Sequence, residues 1–179
     1  MNLRQACEGI VRRHAEAEDR HDVEATLATV YTARYEVAPL GVSDGETAVR
    51  DVLHSMITGF PDWHIEPGPL RHGDDFVFVE VRMIGTHNGL WAGWEPTGRK
   101  MDIQVACVFE FVDDRLVCEK VYFDFATVMR QLGKLQPVVS DTTQGASRSI
   151  PGSRPLSIRA IDTYIMPAEG APCPAPQLR

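Results

Sequence analysis

The chain has 179 residues, of which 44% are apolar, and it carries a formal net charge of −7. This length suits one well-packed domain better than two. The acidic balance, without any run of lysine or arginine, argues against nucleic acid or an anionic membrane as a partner, since both attract basic surfaces. Small neutral or hydrophobic molecules are the partners that this composition favours.

Cysteine spacing and the N-terminal segment indicate where the protein resides. The four cysteines, Cys7, Cys107, Cys118 and Cys173, show no metal-ligand spacing. We expect free thiols in a reducing cytoplasm. The N-terminal segment is charged throughout and lacks the apolar core of a signal peptide, and no window is apolar enough to span a membrane. The sequence therefore predicts a soluble, cytoplasmic protein.

Three amphipathic segments open the chain. Apolar residues recur at helical spacing from Leu3 to His14, from Asp22 to Tyr31 and from Glu46 to Phe60. Pro61 ends the third segment, because a proline disfavours helical backbone in the residue before it. The sequence therefore predicts three helices ahead of the strands.

From Trp63 onward the hydrophobic period changes to two, which is typical of strands. Four strands are predicted, separated by turns rich in Gly, Pro and Asp: 63–67, 76–86, 100–112 and 115–124. Helices first and antiparallel strands after them indicate an α+β fold. We expect one domain over residues 1–133, with a curved antiparallel sheet wrapped around the N-terminal helices.

Residues 134–179 differ in composition from the rest of the chain. They contain seven prolines and abundant Ser, Thr, Gly and Ala, a mixture that cannot sustain a helix or a central strand. We expect a mostly irregular C-terminal extension that is partly disordered. Its apolar segment 156–166 is the exception, since it could pack on the domain or on a partner subunit.

An aspartate, Asp124, stands where the last predicted strand becomes a helix. Apolar residues on both faces of this strand predict that its end is buried. Burial raises the pKa of a carboxyl group and so permits proton exchange with a bound molecule near neutral pH. Asp124 is therefore a candidate catalytic residue, with a helix N-cap as the structural alternative.

The neighbours of Asp124 follow from the register of the last hairpin. A tight turn at 112–115 with one bulged residue predicts these pairs: Gln104 with Asp124, Ala106 with Tyr122, Val108 with Lys120 and Glu110 with Cys118. Glu110 then shares a face with Asp124 and is the second candidate catalytic acid, because neighbouring acids raise each other's pKa. Gln104 and Tyr122 lie on the same face and are candidate substrate contacts.

Five short sequences in a fixed order give the chain a specific resemblance. They are GETAVR at 45–50, FPD at 60–62, GTHNG at 85–89, PTGR at 96–99, and Asp124 followed by QLG at 131–133. The series resembles the SnoaL-like polyketide cyclases, also called ester cyclases, which belong to the nuclear-transport-factor-two-like superfamily. The resemblance covers about residues 22–133. It implies a cone-shaped barrel with a pocket between sheet and helices, usually in a homodimer.

The resemblance also implies a chemistry. Cyclases of this family close a ring by an intramolecular aldol reaction of a polyketide ester, and they use no metal and no cofactor. Asp124 matches their catalytic acid/base. Glu110 stands where a histidine assists that aspartate in the best-known cyclase, so the chain departs from the family pattern there. The implied partner is a small hydrophobic organic substrate.

Further candidate substrate contacts come from outside the last hairpin. His87 precedes the turn in GTHNG, and Tyr35 follows the second predicted helix. Trp94 shares a loop with Trp91, and two large aromatic residues there are expected to form a pocket lid or a dimer contact.

Three functions remain open at this stage. The first is a cofactor-independent cyclase or isomerase that acts on a polyketide-like or other natural-product intermediate through aspartate acid/base catalysis. The second is an epoxide-opening cyclase or hydrolase, or a dehydratase, that uses Asp124 and Glu110 as a pair. The third is a module that binds a small ligand or forms dimers without turnover.

Overall fold

A computed structural model describes residues 2–38 and 40–135 of the chain. The helices are α1 (Leu3–Asp19), α2 (Val23–Leu27), α3 (Glu46–Gly59) and α4 (Phe125–Gln131). The strands are β1 (Arg34–Ala38), β2 (Gly41–Asp44), β3 (His64–Pro67), β4 (Arg71–His72), β5 (Phe76–Thr86), β6 (Lys100–Val112) and β7 (Arg115–Phe123). The expectations for segment 156–166 and for Cys173 lie outside the described residues.

The strands form one sheet in the order β2-β1-β7-β6-β5-β3, with β4 paired to β5. Neighbouring strands run antiparallel except β1 and β7, which are parallel. Helix α1 packs against β3, β5 and β7, and α3 packs against β1 and β2. The predicted α+β fold with a curved sheet and N-terminal helices is confirmed. The sequence did not predict the short strands β1, β2 and β4.

The register predicted for the β6–β7 hairpin is confirmed. Ala106 pairs with Tyr122, Val108 with Lys120 and Glu110 with Cys118, and the register then shifts so that Phe111 pairs with Leu116. Val117 has no partner and is the bulged residue. One predicted pair is wrong, because β7 ends at Phe123 and Asp124 lies beyond the ladder opposite no residue of β6.

The two faces of this hairpin differ in polarity. The inner face carries apolar side chains that line the interior, among them Val105, Cys107, Phe109, Val121 and Phe123. The outer face carries Gln104, Glu110, Lys120 and Tyr122, and the side chain of Tyr122 is 48% exposed. The residues that were predicted to line a pocket therefore lie on the outer, solvent-facing side of the hairpin.

Helix α1 is anchored at its first turn and buried along one stripe. Asn2 accepts a hydrogen bond from the backbone N–H of Gln5, whose side chain accepts one from the N–H of Asn2 in return, and this capping box satisfies two otherwise unpaired donors. The buried stripe is Cys7, Val11, His14 and Ala17. A histidine on a buried stripe brings an ionisable group into the interior.

Two further observations concern the predicted location. Within residues 2–38 and 40–135, no helix is long and apolar enough to cross a membrane. Cys7, Cys107 and Cys118 are free and buried.

Candidate active site

A cavity of about 620 Å³ lies between the inner face of the sheet and helices α1 and α3. Most of its wall is apolar and includes Met56, Val79, Val81, Val105, Phe109 and Trp91. A concave site of this size and character suits a small hydrophobic molecule. One stretch of the wall differs, because ionisable side chains lie there.

Four side chains form what we call the acid–base cluster: His14 and Glu18 from α1, Tyr35 from β1 and Glu119 from β7. Nε2 of His14 lies 3.1 Å from Oε2 of Glu119 and 2.9 Å from the hydroxyl of Tyr35. That hydroxyl lies 2.9 Å from Oε1 of Glu18. His14 is 0% exposed, and Tyr35 and Glu119 are each 3% exposed. The cluster is therefore shielded from bulk water.

Regular secondary structure brings these four side chains together. His14 and Glu18 are four residues apart on α1, so both project from the same face of the helix. Tyr35 and Glu119 are paired residues in the parallel register of β1 and β7, so their side chains emerge side by side. A helix face packed on a strand pair holds the cluster more rigidly than loops would.

The hydrogen bonds of Thr29 define the tautomer of His14. The Thr29 hydroxyl donates to the carbonyl oxygen of Thr26 at 2.7 Å, so its own oxygen accepts from Nδ1 of His14, which lies 2.6 Å away. Nδ1 therefore keeps its proton. Nε2, which faces Glu119, Tyr35 and Glu18, is the nitrogen that gains and loses a proton.

Burial and charge act in opposite directions on this cluster. Burial by itself would lower the pKa of His14, but the carboxylates of Glu18 and Glu119 raise it to about 10. Burial raises the pKa of Glu119, and the charge of Glu18 raises it further, against the lowering effect of His14. Burial also raises the pKa of the Tyr35 hydroxyl. The two carboxylates thus favour the protonated form of His14, and the pKa of its partner Glu119 lies above the ordinary value.

Glu119 can present one of its oxygens to a bound molecule. Oε2 of Glu119 contacts His14 at 3.1 Å, and the residue lines the cavity. A carboxylate with a raised pKa in the wall of an apolar cavity has the properties of a general base. Tyr35 and Glu18 line the same cavity.

The same groups have the donor types of a cation site. Donor atoms of His14, Glu18 and Glu119 lie within 4.8 Å of one another. Hydrogen bonds already join these atoms, since Nδ1 is bound by Thr29 and Nε2 by Glu119 and Tyr35. We therefore interpret the cluster as one that holds protons.

Comparison with known proteins assigns the fold to a family. A family model described as SnoaL-like polyketide cyclase matches residues 8–132. The chain belongs to this family. The resemblance found in the sequence is thus confirmed, and family membership supports a cyclase-type function.

Solved structures share the fold of this SnoaL-like protein. A protein from Jannaschia sp. CCS1, described as a SnoaL-like polyketide cyclase, is 16% identical over 76% of this chain and 97% of its own, with a TM-score of 0.69. IdmH from Streptomyces antibioticus, described as a polyketide cyclase, is 20% identical over 71% of this chain and 98% of its own, with a TM-score of 0.61. SalBIII, an epoxide hydrolase/cyclase-like enzyme of pyran ring formation in salinomycin, is 22% identical over 71% of this chain and 97% of its own, with a TM-score of 0.61. A comparison with curated protein sequences found no match.

Asp124 lies outside the cavity of this SnoaL-like protein. It is the N-cap of α4, where its side chain accepts from the backbone N–H of Ala126 at 3.0 Å and from the hydroxyl of Thr127 at 2.5 Å. These hydrogen bonds, that of the Thr127 hydroxyl foremost, lower the pKa of Asp124, and its side chain is 63% exposed. The prediction of a buried carboxyl with a raised pKa is wrong, because the chain leaves the sheet one residue earlier. The N-cap alternative is confirmed.

The other predicted residues of the hairpin also lie outside the cavity. Glu110 accepts a hydrogen bond from Nζ of Lys120 at 2.6 Å on the outer face and is half-exposed. Gln104 and Tyr122 are exposed on that face. Their predicted placement in a pocket is wrong because strand alternation points every second residue away from the helices.

The loop residues divide between the cavity wall and the packing behind it. His87 is fully buried beside Phe60 and is not part of the cavity wall. Trp94 stacks on Phe125 at 5.6 Å and lies behind Trp91, which is buried and does line the cavity. Trp94, the predicted substrate contact, is therefore not part of the cavity wall, whereas its loop neighbour Trp91 is. Tyr35 is the predicted substrate contact that the structure places in the cavity wall.

Sequence analysis missed His14, Glu18 and Glu119 as site residues, although signals were present. Glu119 is the one charged residue in the apolar inner row that also contains Val121 and Phe123. His14 belongs to the apolar stripe of the first predicted helix. An ionisable residue in an otherwise apolar row was the signal in both cases.

Proposed function

We propose that this SnoaL-like protein is an acid/base cyclase or isomerase that acts on a neutral, hydrophobic natural-product intermediate, with Glu119 as the base and His14 as its partner. The observation that carries the proposal is the buried Glu119 carboxylate, held by His14 at 3.1 Å, in the wall of an apolar cavity. Membership of a polyketide cyclase family supports the class of reaction.

An aldol-type ring closure is the reaction that we favour. Oε1 of Glu119 removes a proton from the carbon next to a carbonyl group, and the electron pair forms an enolate. The enolate carbon bonds to a second carbonyl carbon of the same molecule, whose oxygen becomes an alkoxide. That alkoxide takes a proton from the cluster, and the proton count is unchanged. The Nε2–H of His14 and the hydroxyl of Tyr35 are the nearest donors for the developing negative charge.

The base can be tested before the natural substrate is known. 5-Nitrobenzisoxazole is a small neutral carbon acid that ring-opens to a coloured phenolate when a base removes its C3 proton and the N–O bond breaks. We expect the wild-type protein to accelerate this reaction and Glu119→Gln to lose about 10²-fold or more of the acceleration. The measurement is the initial rate of phenolate absorbance across a pH series.

Two variants control this experiment. Glu80→Gln makes the same change at an exposed outer position of β5 and is expected to keep the wild-type rate. Asp124→Asn tests the residue that the family resemblance selects, and a large loss there with an intact Glu119→Gln variant would reverse the assignment. Equal rates in all variants, with the probe bound, would instead mean a ligand-binding module without turnover.

Epoxide opening is the second candidate function. Two carboxylates, Glu18 and Glu119, approach the same nitrogen of His14 and line the same cavity. One acid could protonate the epoxide oxygen while the other deprotonates the attacking hydroxyl, so that one C–O bond forms and one breaks. SalBIII, which shares the fold, is an epoxide hydrolase/cyclase-like enzyme. With a 4,5-epoxy alcohol, this function predicts cyclic ether formation that Glu18→Gln and Glu119→Gln both abolish, whereas a slow, variant-independent rate would exclude it.

A further inference from the structure

Glu18 and Glu119 approach the same nitrogen of His14 from two different elements, helix α1 and strand β7. Nε2 of His14 lies 3.1 Å from Oε2 of Glu119 on the sheet and 3.4 Å from Oε1 of Glu18 on helix α1. The side chain of Glu18 is 13% exposed and that of Glu119 is 4% exposed. Both residues line the cavity. A bound molecule can therefore lie within reach of both carboxylates.

We infer that Glu18 is a second acid/base group of this site, joined to Glu119 through His14 and Tyr35, so that the cavity can accept a proton from one position of a ligand and deliver a proton at another. This inference rests on the proposed function, since it assumes that Glu119 accepts the first proton. It adds a residue and a substrate requirement: an acidic C–H or O–H group, and a separate oxygen that receives a proton.

The hydroxyl of Tyr35 provides the connection to Glu18. The direct distance of 3.4 Å between Nε2 and Glu18 is long for a hydrogen bond. The two steps through Tyr35 are 2.9 Å each, from Nε2 to the hydroxyl oxygen and from the hydroxyl to Oε1 of Glu18. Tyr35 can donate its own proton to Glu18 as it accepts one from Nε2, so it relays a proton without being charged.

The charges in the cluster make the two carboxylates compete for one cation. In the described part of the chain, no lysine or arginine forms an ion pair with Glu18 or Glu119, and His14 is the positive group that both contact. The neighbouring thiol of Cys107 adds no charge, because burial, together with the charge of Glu119, raises its pKa. Phe109 packs edge-on against the imidazole and is neutral.

Protonation of one carboxylate therefore shifts the imidazolium toward the other. When Glu119 takes a proton from a ligand, it loses its charge and its attraction for Nε2–H. The Nε2 proton then moves through Tyr35 to Glu18, which passes a proton to the ligand oxygen. Glu119 returns its proton to Nε2, and the cluster is restored without a proton from water.

The test measures the protonation of His14 and needs no substrate. Proteins with ¹⁵N-labelled histidine, treated with EDTA, are titrated by NMR for wild type, Glu119→Gln, Glu18→Gln and the double variant. We expect Glu119→Gln to keep a His14 pKa above the ordinary value, and the further change of Glu18→Gln to lower it by at least about one unit. Tyr35→Phe is expected to reduce the effect of Glu18→Gln.

Other outcomes have defined meanings. A His14 pKa that responds to Glu119→Gln but not to Glu18→Gln would overturn the inferred connection between Glu18 and Glu119. It would leave the role of Glu119 as the base intact. Retention of the 5-nitrobenzisoxazole rate by Glu119→Gln would overturn the proposed function instead. Glu80→Gln is the matched control in both measurements, and it should leave the His14 pKa unchanged. If Glu119→Gln does not fold, the single Glu18→Gln variant still carries the test, because it should lower the His14 pKa by itself.

Discussion

The surroundings of a carboxyl group decide its chemistry, as Asp124 and Glu119 show within one short segment. Asp124 is exposed and accepts hydrogen bonds from Thr127 and Ala126, which favour its charged form. Glu119 is buried beside one imidazole, and burial favours its protonated form. The residue types are nearly equivalent, so the type of residue does not identify the base.

His87 is a second residue whose environment sets its protonation. It is fully buried, its Nδ1 lies 3.2 Å from the Thr97 hydroxyl, and its Nε2 has no partner within the described residues. Burial lowers the pKa of His87, and Lys134 lowers it further. The unfolded chain therefore binds a proton there at a higher pH than the folded protein does.

We predict that His87 makes the protein acid-sensitive. Because its folded pKa is depressed, its stabilising effect is present above the unfolded pKa of about 6.5 and is lost as pH falls below that value. The raised pKa of His14 acts in the opposite direction over this pH range, so the prediction is made relative to His87→Gln, which cannot be protonated at position 87. Between pH 7.5 and pH 5, the change in the free energy of unfolding should be less favourable in the wild-type protein than in His87→Gln. Denaturant titrations at both pH values measure this. His54→Gln, at an exposed helix position, should show the same change in the free energy of unfolding as the wild-type protein. The same change in His87→Gln would refute the prediction.

At the scale of elements, the last hairpin shows what could be predicted and what could not. The turn, the bulge and the cross-strand pairs followed from alternation and turn chemistry, and they are confirmed. The face of the hairpin that lines the cavity was not predicted correctly. The prediction assumed that Asp124 marks the inner face and did not compare the polarity of the two rows of strand residues. In β6 the odd-numbered row is apolar throughout, from Met101 to Phe111. That row faces the helices, and its polarity was the better guide.

Helix α4 is short, and its N-cap should matter for its stability. We predict that Asp124→Ala lowers the melting temperature, because the N–H of Ala126 and the hydroxyl of Thr127 lose their acceptor. Asp124→Asn should lower it less, since asparagine is also a good N-cap. Thermal unfolding followed by circular dichroism measures both. Asp74→Ala, in an exposed turn, is the matched control, and an equal effect of alanine and asparagine at position 124 would contradict capping.

At the scale of the molecule, the order of elements was sufficient to predict the fold class. The three N-terminal helices and the long strands β5, β6 and β7 lie close to their predicted positions. Strands β1 and β2 escaped prediction because they are short and lack a sustained apolar alternation. Tyr35 of β1 belongs to the cluster, so missing this strand also hid part of the site. The homodimer that the family resemblance implies stays a prediction, since the structure describes one chain.

The bulge at Val117 has a consequence for how such a pocket can diversify. Upstream of it, Leu116 faces inward with Phe111; downstream of it, the inward positions are Glu119, Val121 and Phe123. Without the bulge, with Val117 paired to Glu110 and the turn unchanged, Cys118 would pair with Phe109, and Cys118, Lys120 and Tyr122 would turn toward the cavity. A one-residue shift of register would thus exchange an acid wall for one with a thiol, an amine and a phenol. In this hairpin, the presence of one bulged residue is as strong a determinant of chemistry as residue identity.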